Sequence, residues 1–539
     1  MERVSDTTEL SVYAYQFLLG GANRNRTGDL AHAMRALYQL SYSPTLNLLH
    51  SVKKLEKNRK KSYRIFMKYS QSLLSSIISP IKIILNALIS EGCTPYLVGG
   101  CVRDLIMNQP LKDLDLELHD IPFEEAQAVL SRFGTVLLVG KAFGVMRIAG
   151  HDIDWSLPRR DSLGRKPEVA LDPHLGIQAA CRRRDITMNA MAINLKDFLA
   201  TGAISIIDPY DGLKAIAAKK LCAVDVTLFV QDPLRFFRVM HFIGRFGMQP
   251  DEELNELCAR MSLQDPITQQ PLALERIADE IKKLFLRSSR PSLGFRWLAQ
   301  IRRLDELFPE LAALCSTPQR PDYHPEGTVF EHAMQSLDAA ARFNQLNLTQ
   351  NNQEHFLIML AGLCHDLGKA TTTTNDLKAH GHDVAGVPLA KNLLGRMTND
   401  QKCIAAVELL VRHHLAPFTF LAGGALPKAY KRLAYKLSPL VTMRQLGLVA
   451  LADRQGRNGH SPEPLTNHID LLHAFLAECN KAAVANGPEI PVLQGRDLID
   501  EIKEGPRLGQ LLKEAYTIQI EEGITDSSTL RKRVLRQKN

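Results

Sequence analysis

Leu97-Val98-Gly99-Gly100-Cys101-Val102-Arg103-Asp104, followed by Lys112-Asp113-Leu114-Asp115-Leu116-Glu117, is the stretch on which the reading of this chain turns. It reads as the end of an apolar strand, a paired-glycine turn, and a second strand carrying D-x-D. Side chains at i and i+2 of a strand point to the same side, so Asp113 and Asp115 converge on one place. Two hard oxygen donors beside a glycine turn suit a divalent cation and a nucleoside triphosphate. On its own the pattern fits a surface turn with two solvated aspartates equally well. The rest of the chain has to decide.

At 539 residues the chain predicts several domains, since single cores seldom exceed about 250–300 residues. A net charge of +8 is modest for this length and compatible with phosphate contacts to a nucleic acid. Nine cysteines with no C-x-x-C pair argue against a zinc ribbon or a disulfide scaffold and for a reducing compartment. The longest apolar runs, 74–88 and 356–363, are interrupted by polar residues and read as too short for a membrane span. No membrane partner is expected, and the expected location is cytoplasmic.

Residues 1–66 lack sustained periodicity and are expected to be disordered or an upstream extension of the reading frame. Residues 36–44 can be back-translated into the complement of a tRNA gene's start, which makes Met67 the expected first residue. From 67 to 225 short β-like runs (95–98, 135–139, 145–148) alternate with helical stretches, after a helix over about 70–90. Amphipathic helices follow: a neck and body over 226–315, a domain over 320–480, and a helical element with a basic tail over 485–539. The polar, proline-rich stretch 316–327 reads as a boundary. The tail from Leu530 reads as a frayed, solvated helix, with RNA contact as the alternative.

Four segments in order resemble the class II tRNA nucleotidyltransferases, the CCA-adding enzymes of the DNA polymerase beta superfamily. They are the opening motif; Val139-Gly140-Lys141-Ala142-Phe143-Gly144-Val145; Arg183-Arg184-Asp185-Ile186-Thr187-Met188-Asn189-Ala190 with Ile207-Asp208-Pro209-Tyr210-Asp211-Gly212; and Asp232-Pro233-Leu234-Arg235 with Arg238, then Glu275-Arg276 and Glu280. The resemblance implies an α/β (α+β) nucleotidyltransferase head followed by an all-α neck and body. It implies Mg2+ held by Asp113 and Asp115, with Asp154 a weaker third carboxylate. Gly99, Gly100 and Arg103 would contact the triphosphate, and Arg184, Asp185 and Asn189 the sugar. Asp232 and Arg235, expected three apart on one helix face, would select C and A, since G and U present a carbonyl where these bases present an amine. Gln231 departs from the family's usual Glu.

A second constellation comprises Glu331-His332, Cys364-His365-Asp366-Leu367-Gly368-Lys369, His380-Gly381-His382-Asp383, His413-His414 and Asp453. It resembles an all-α HD-domain phosphohydrolase of the kind appended to multifunctional CCA proteins. There His332, His365, Asp366 and Asp453 would be ligands, with His382 and either His413 or His414 completing a second site. Imidazole with carboxylate suits a divalent transition metal such as Ni2+ or Mn2+. The implied catalytic residues are Asp113, Asp115, His365 and Asp366; the implied partners are tRNA, CTP and ATP. The implied activities are CCA addition and repair with a 2′,3′-cyclic phosphodiesterase, 2′-nucleotidase or phosphatase. A bacterial poly(A) polymerase, or an HD nucleotide hydrolase with a non-catalytic head, remain alternatives.

Overall fold

The computed structural model describes residues 70–111, 114–139, 144–161 and 169–536. Met67, Asp113 and residues 140–143 lie outside the described residues, as does the stretch expected to be disordered. The chain divides into two compact units, one comprising residues up to Val239 with Met248–Leu272, the other Met240–Gly247 with the chain from Ala273 onward.

The first unit is built on a seven-stranded mixed sheet in the order β3-β4-β5-β2-β1-β8-β9. Its strands are β1 (Thr94–Val98), β2 (Leu114–His119), β3 (Val136–Leu138), β4 (Val145–Ile148), β5 (Ile153–Ser156), β8 (Ala192–Asn194) and β9 (Ile206–Ile207), with a separate hairpin of β6 (Arg159–Asp161) and β7 (Val169–Leu171). The β2 strand runs antiparallel to β1 and parallel to β5. Leu97, Leu116, Leu118 and Trp155 are fully buried in this sheet. Helix α1 (Lys82–Ser90) buries Ile84, Leu85 and Leu88 and packs on β1 and on α3 (Phe123–Ser131), while α2 (Gly100–Ile106) starts directly after the glycine turn. The mixed sheet with flanking helices is the expected α+β head.

The helix over Ser70–Ser90 has 21 residues and a mean hydropathy of 1.8, and that over Gln401–Ala422 has 22 residues and 1.2. By length and composition both could cross a membrane, a test that core helices of a globular unit also pass. Serines inside a helix interrupt a run without making the helix hydrophilic. The apolar side chains of these two helices include Leu85 and Leu88, and Val407, Leu410 and Val411, all buried inside their units.

Helix α4 (Leu234–Phe246) begins after Pro233, a ring suited to a helix start. The second unit is helical. Its centre is α5 (Val329–Arg342), α6 (Asn352–Cys364), α7 (His382–Leu394), α8 (Gln401–His413) and α9 (Met443–Gln455); α5, α6 and α9 pack on one another, and α8 packs on α6 and α7. Side-chain caps mark the starts: Thr328 for α5, Asn351 for α6, Asp400 for α8, and a Thr442–Gln445 capping box for α9. At the C-terminus α10 (Pro506–Glu522) and α11 (Ser527–Arg536) share a small core of Leu493, Leu498, Ala515, Leu530 and Val534. The basic tail is therefore a packed helix rather than a frayed one. Two of its arginines are paired, Arg531 with Glu501 and Arg533 with Glu522.

Two candidate active sites

In the head, Gly99 adopts φ +73°, ψ −132°, a conformation that favours glycine, and its N–H donates to Met191 O on the way into β8. A Cβ there would collide with Arg184 Nη1, so the guanidinium lies against the turn. Across the sheet, Asp115 on β2 is the direct register partner of Asp154 on the parallel strand β5. The structure thus brings two of the three expected carboxylates side by side; Asp154 is also paired with Arg147. Asp113 lies outside the described residues.

Behind this edge runs a buried polar chain. Arg103 donates to Asp104 (2.8 Å) and to Asn189 Oδ1, Asn189 donates to Asp185 Oδ1 (3.0 Å), and Asp185 Oδ2 accepts from Arg238 (2.6 Å). Burial alone would raise the Asp185 carboxyl, but the Arg238 charge and bonds from Asn189, Arg238 and the Ile186 N–H hold it well below the usual carboxylate range. Asp185 and Asn189 are themselves buried, while Arg238 is partly exposed.

One residue here escaped the sequence reading. Glu117 shares the β2 face of Asp115 and is buried, with His119 Nε2 at 3.0 Å, Arg183 Nη2 at 3.4 Å and Arg184 Nη2 at 3.9 Å. It anchors the arginine that lies on the glycine turn. The period-2 spacing from Asp113 through Asp115 was its visible signal.

Asp232 precedes α4 rather than lying within it, and its Oδ1 accepts from Leu234 N at 3.2 Å. This changes the expected placement of both residues on one helix: proline at 233 starts the helix after the aspartate. Arg235 donates to the carbonyl oxygens of Leu228 (2.9 Å) and Arg183 (2.5 Å), which ties the α4 start to the Arg183-Arg184 segment.

The second site gathers residues from five helices and their ends. His365 and His414 sit one residue past α6 and α8, where the last turn of a helix has carbonyls without intrahelical partners. His365 Nδ1 donates to Gly362 O (2.9 Å) and His414 Nδ1 to Val411 O (2.7 Å); His382 Nδ1 donates to Ala379 O (2.6 Å). With Nδ1 carrying the proton, each Nε2 presents a lone pair inward. His332 Nε2 lies 3.2 Å from His365 Nε2 and 3.1 Å from Asp453 Oδ1, and His382 Nε2 lies 3.3 Å from His414 Nε2. Asp366 joins the groups: Oδ2 is 3.5 Å from His332 and 3.4 Å from His365, while Oδ1 is 3.2 Å from His382 and 3.7 Å from His414. A Cβ at Gly368 would collide with His382 O, so the D-L-G-K turn needs its glycine for this close approach.

The group is a buried cluster of opposite charges. Burial would raise Asp366 and Asp453, but Lys369 and His365 on one, and Arg457 and His332 on the other, hold both well below the usual carboxylate range. Burial would likewise lower His332, yet Asp453 and Glu326 push it up to about 9; burial and then His365 bring His414 down to about 4. Imidazole Nε2 atoms 3.2–3.3 Å apart with two buried carboxylates are a donor set that fits one or two divalent metals, which would displace the His332 proton. Of the two adjacent histidines, His414 lies within this group, whereas His413 is half-buried outside it.

A cavity of about 250 Å³ opens onto the centre, lined by Lys369, Arg457, Arg320, Tyr323 and His324 among others. Three of these come from the stretch 316–327, read in the sequence as a boundary. The loop also supplies the pair His324 and Glu326, the Glu326 side chain fully covered, whose only sequence signal was a His-Pro-Glu shortly before His332.

The Poly A polymerase head domain family matches residues 95–222 and the HD domain family residues 329–454. The Bacillus stearothermophilus CCA-adding enzyme in complex with CTP superposes with a TM-score of 0.54 at 16% identity, over 86% of this chain and 98% of its own. The Thermotoga maritima CCA-adding enzyme complexed with tRNA gives 0.50 at 19%, over 86% and 96%. These share the fold. The multifunctional CCA protein of Mannheimia succiniciproducens is 30% identical over 397 residues, 71% of this chain and 90% of that protein. At that identity and coverage, and with a Poly A polymerase head followed by an HD domain, the chain belongs to the multifunctional CCA protein family.

Proposed function

We propose that the chain adds and repairs the 3′-terminal CCA of tRNA from CTP and ATP without a template, and hydrolyses phosphoesters at its HD centre. The observation that carries the first half is the Asp115–Asp154 register pair beside the Gly99 turn and Arg184. Asp113, Asp115 and Asp154 hold Mg2+ in this reading. Bound there, it lowers the pKa of the attacking 3′-hydroxyl and offsets charge on the departing pyrophosphate. Gly99 and Gly100 let backbone approach the triphosphate, and Arg103 holds its oxygens. Arg184, Asp185 and Asn189 meet the sugar, Asn189 also steadying Arg103 and Asp185 steadying Arg238. Asp232 and Arg235 accept from and donate to the edges of C and A.

At the second centre His332, His365, Asp366 and Asp453, with His382 and His414, hold a divalent metal such as Ni2+ or Mn2+. When bound it acidifies a water for attack on phosphorus. Lys369 and Arg457 place positive charge in the cavity beside the phosphate. Within this reading 67–225 is the head, 226–315 the neck and body that select nucleotide and grip tRNA, 320–480 the HD domain, and 485–539 a further helical element. Both substrates place the chain in the cytoplasm. The deciding experiment supplies tRNA lacking its CCA with CTP, ATP or both. Two C additions from CTP and one A from ATP are expected, whereas ATP-only tailing would instead make it a poly(A) polymerase.

A further inference from the structure

The loop ahead of α5 places a carboxylate where neither motif called for one. The Glu326 side chain is fully buried, and its Oε1 accepts from two histidines, His324 Nδ1 at 2.9 Å and His332 Nδ1 at 2.7 Å. Its Oε2 is buried with no hydrogen-bond partner among the described residues. Burying an anion this way is unfavourable unless its charge is used. Two arms leave it. Through His332 it reaches the metal-ligand cluster, since His332 Nε2 faces His365 and Asp453. Through His324 it reaches Lys369: with Nδ1 donating to Glu326, His324 Nε2 carries the lone pair that faces Lys369 Nζ at 3.4 Å. The ammonium's other partners are Gln319 Oε1 (2.8 Å) and Asp366 Oδ2 (2.6 Å), so its three N–H bonds are all directed. The contact with His324 is the longest of the three, hence the one an incoming phosphate oxygen exchanges most readily.

We propose that Glu326 is a positioning residue of the HD centre, strengthening His332 as a metal ligand and, through His324, aiming Lys369 at the substrate phosphate. A carboxylate on the far nitrogen of a ligating imidazole fixes its tautomer and raises its basicity. The proposal rests on the reading of this centre as a metal-dependent phosphohydrolase. His332 Nδ1 has a second acceptor, Gly456 O at 3.1 Å, so Glu326→Gln removes the charge while the ring can keep its place.

The test uses the full chain stripped of metal. Titration calorimetry with Mn2+ is expected to show binding weakened roughly 10- to 100-fold in Glu326→Gln, with nucleotide addition to truncated tRNA unchanged. Should that variant fail to fold, Glu326→Asp carries the same test, because its charge stands one methylene farther from His332. Mn2+ affinity equal to the wild type in the folded variant overturns the proposal. His324→Asn separates the second arm: Mn2+ affinity is kept while KM for 2′,3′-cyclic AMP hydrolysis rises roughly tenfold at constant kcat. An unchanged KM overturns that arm. A wild-type chain that neither binds Mn2+ nor hydrolyses the ester would instead remove the phosphohydrolase reading itself.

Discussion

Glu117→Gln tests the electrostatics of the head in quantitative terms. Burial alone would raise this carboxyl, but the bond to His119 and the charges of Arg184 and Arg183 lower it from 4.5 to about 2. A carboxyl with a depressed folded-state pKa contributes stability that is complete above the unfolded value and lost as pH falls through the folded one. That lowering corresponds to roughly 3 kcal/mol at pH 7 and to about 2 kcal/mol at pH 3.5. Glutamine keeps the shape and removes the charge, so it should cost about that much at neutral pH and less in acid. The chain has two tryptophans, Trp155 and Trp297. Trp155 is buried in β5, opposite Leu116 and one residue from Glu117 in register, whereas Trp297 belongs to the second unit. Urea unfolding followed by fluorescence in a Trp297→Phe background therefore reports the head. The KM for CTP should rise as well, because Arg184 loses its anchor. A destabilisation that is the same at both pH values, or below about 0.5 kcal/mol at pH 7, would refute the claim that Glu117 is held as a buried anion.

Gly99→Ala should raise the KM for both nucleotides and destabilise the head by 1 kcal/mol or more, since a Cβ meets Arg184 at a positive φ; kinetics and urea unfolding check this together. His414→Ala should abolish Mn2+-dependent phosphoester hydrolysis, while His413→Ala keeps it, and parallel assays of the two variants decide between adjacent histidines. Asp154→Asn should lower the rate of nucleotide addition at saturating CTP and steepen its dependence on Mg2+, measured by Mg2+ titration; an unchanged profile would leave Arg147 as the residue's sole business.

Local motifs were legible because their spacing is a backbone property. The D-x-D, the glycine pair and the His-Asp dipeptide each draw their residues from one short segment. The register of Asp154 on Asp115 was not legible, because it depends on a parallel pairing across about forty residues that no local pattern encodes. The choice of His414 over His413 turns on the last residue of α8: the residue past the helix end swings its Nδ1 back to Val411 O, while its neighbour stays on the helix. Glu326 and His324 were read as part of a linker, since proline and polar residues mark loops equally whether the loop is solvated or folded over a cavity. Glu117 reads as a strand residue among others until the arginines it binds are in place.

The central claim is that one chain carries two chemistries that can be separated. The most direct measurement assays Asp115→Ala and Asp366→Ala side by side, each for CTP and ATP addition to tRNA lacking CCA and for Mn2+-dependent hydrolysis of 2′,3′-cyclic AMP. The account predicts that Asp115→Ala loses addition and keeps hydrolysis, and that Asp366→Ala does the reverse. Addition surviving in Asp115→Ala, or hydrolysis surviving in Asp366→Ala, would contradict it.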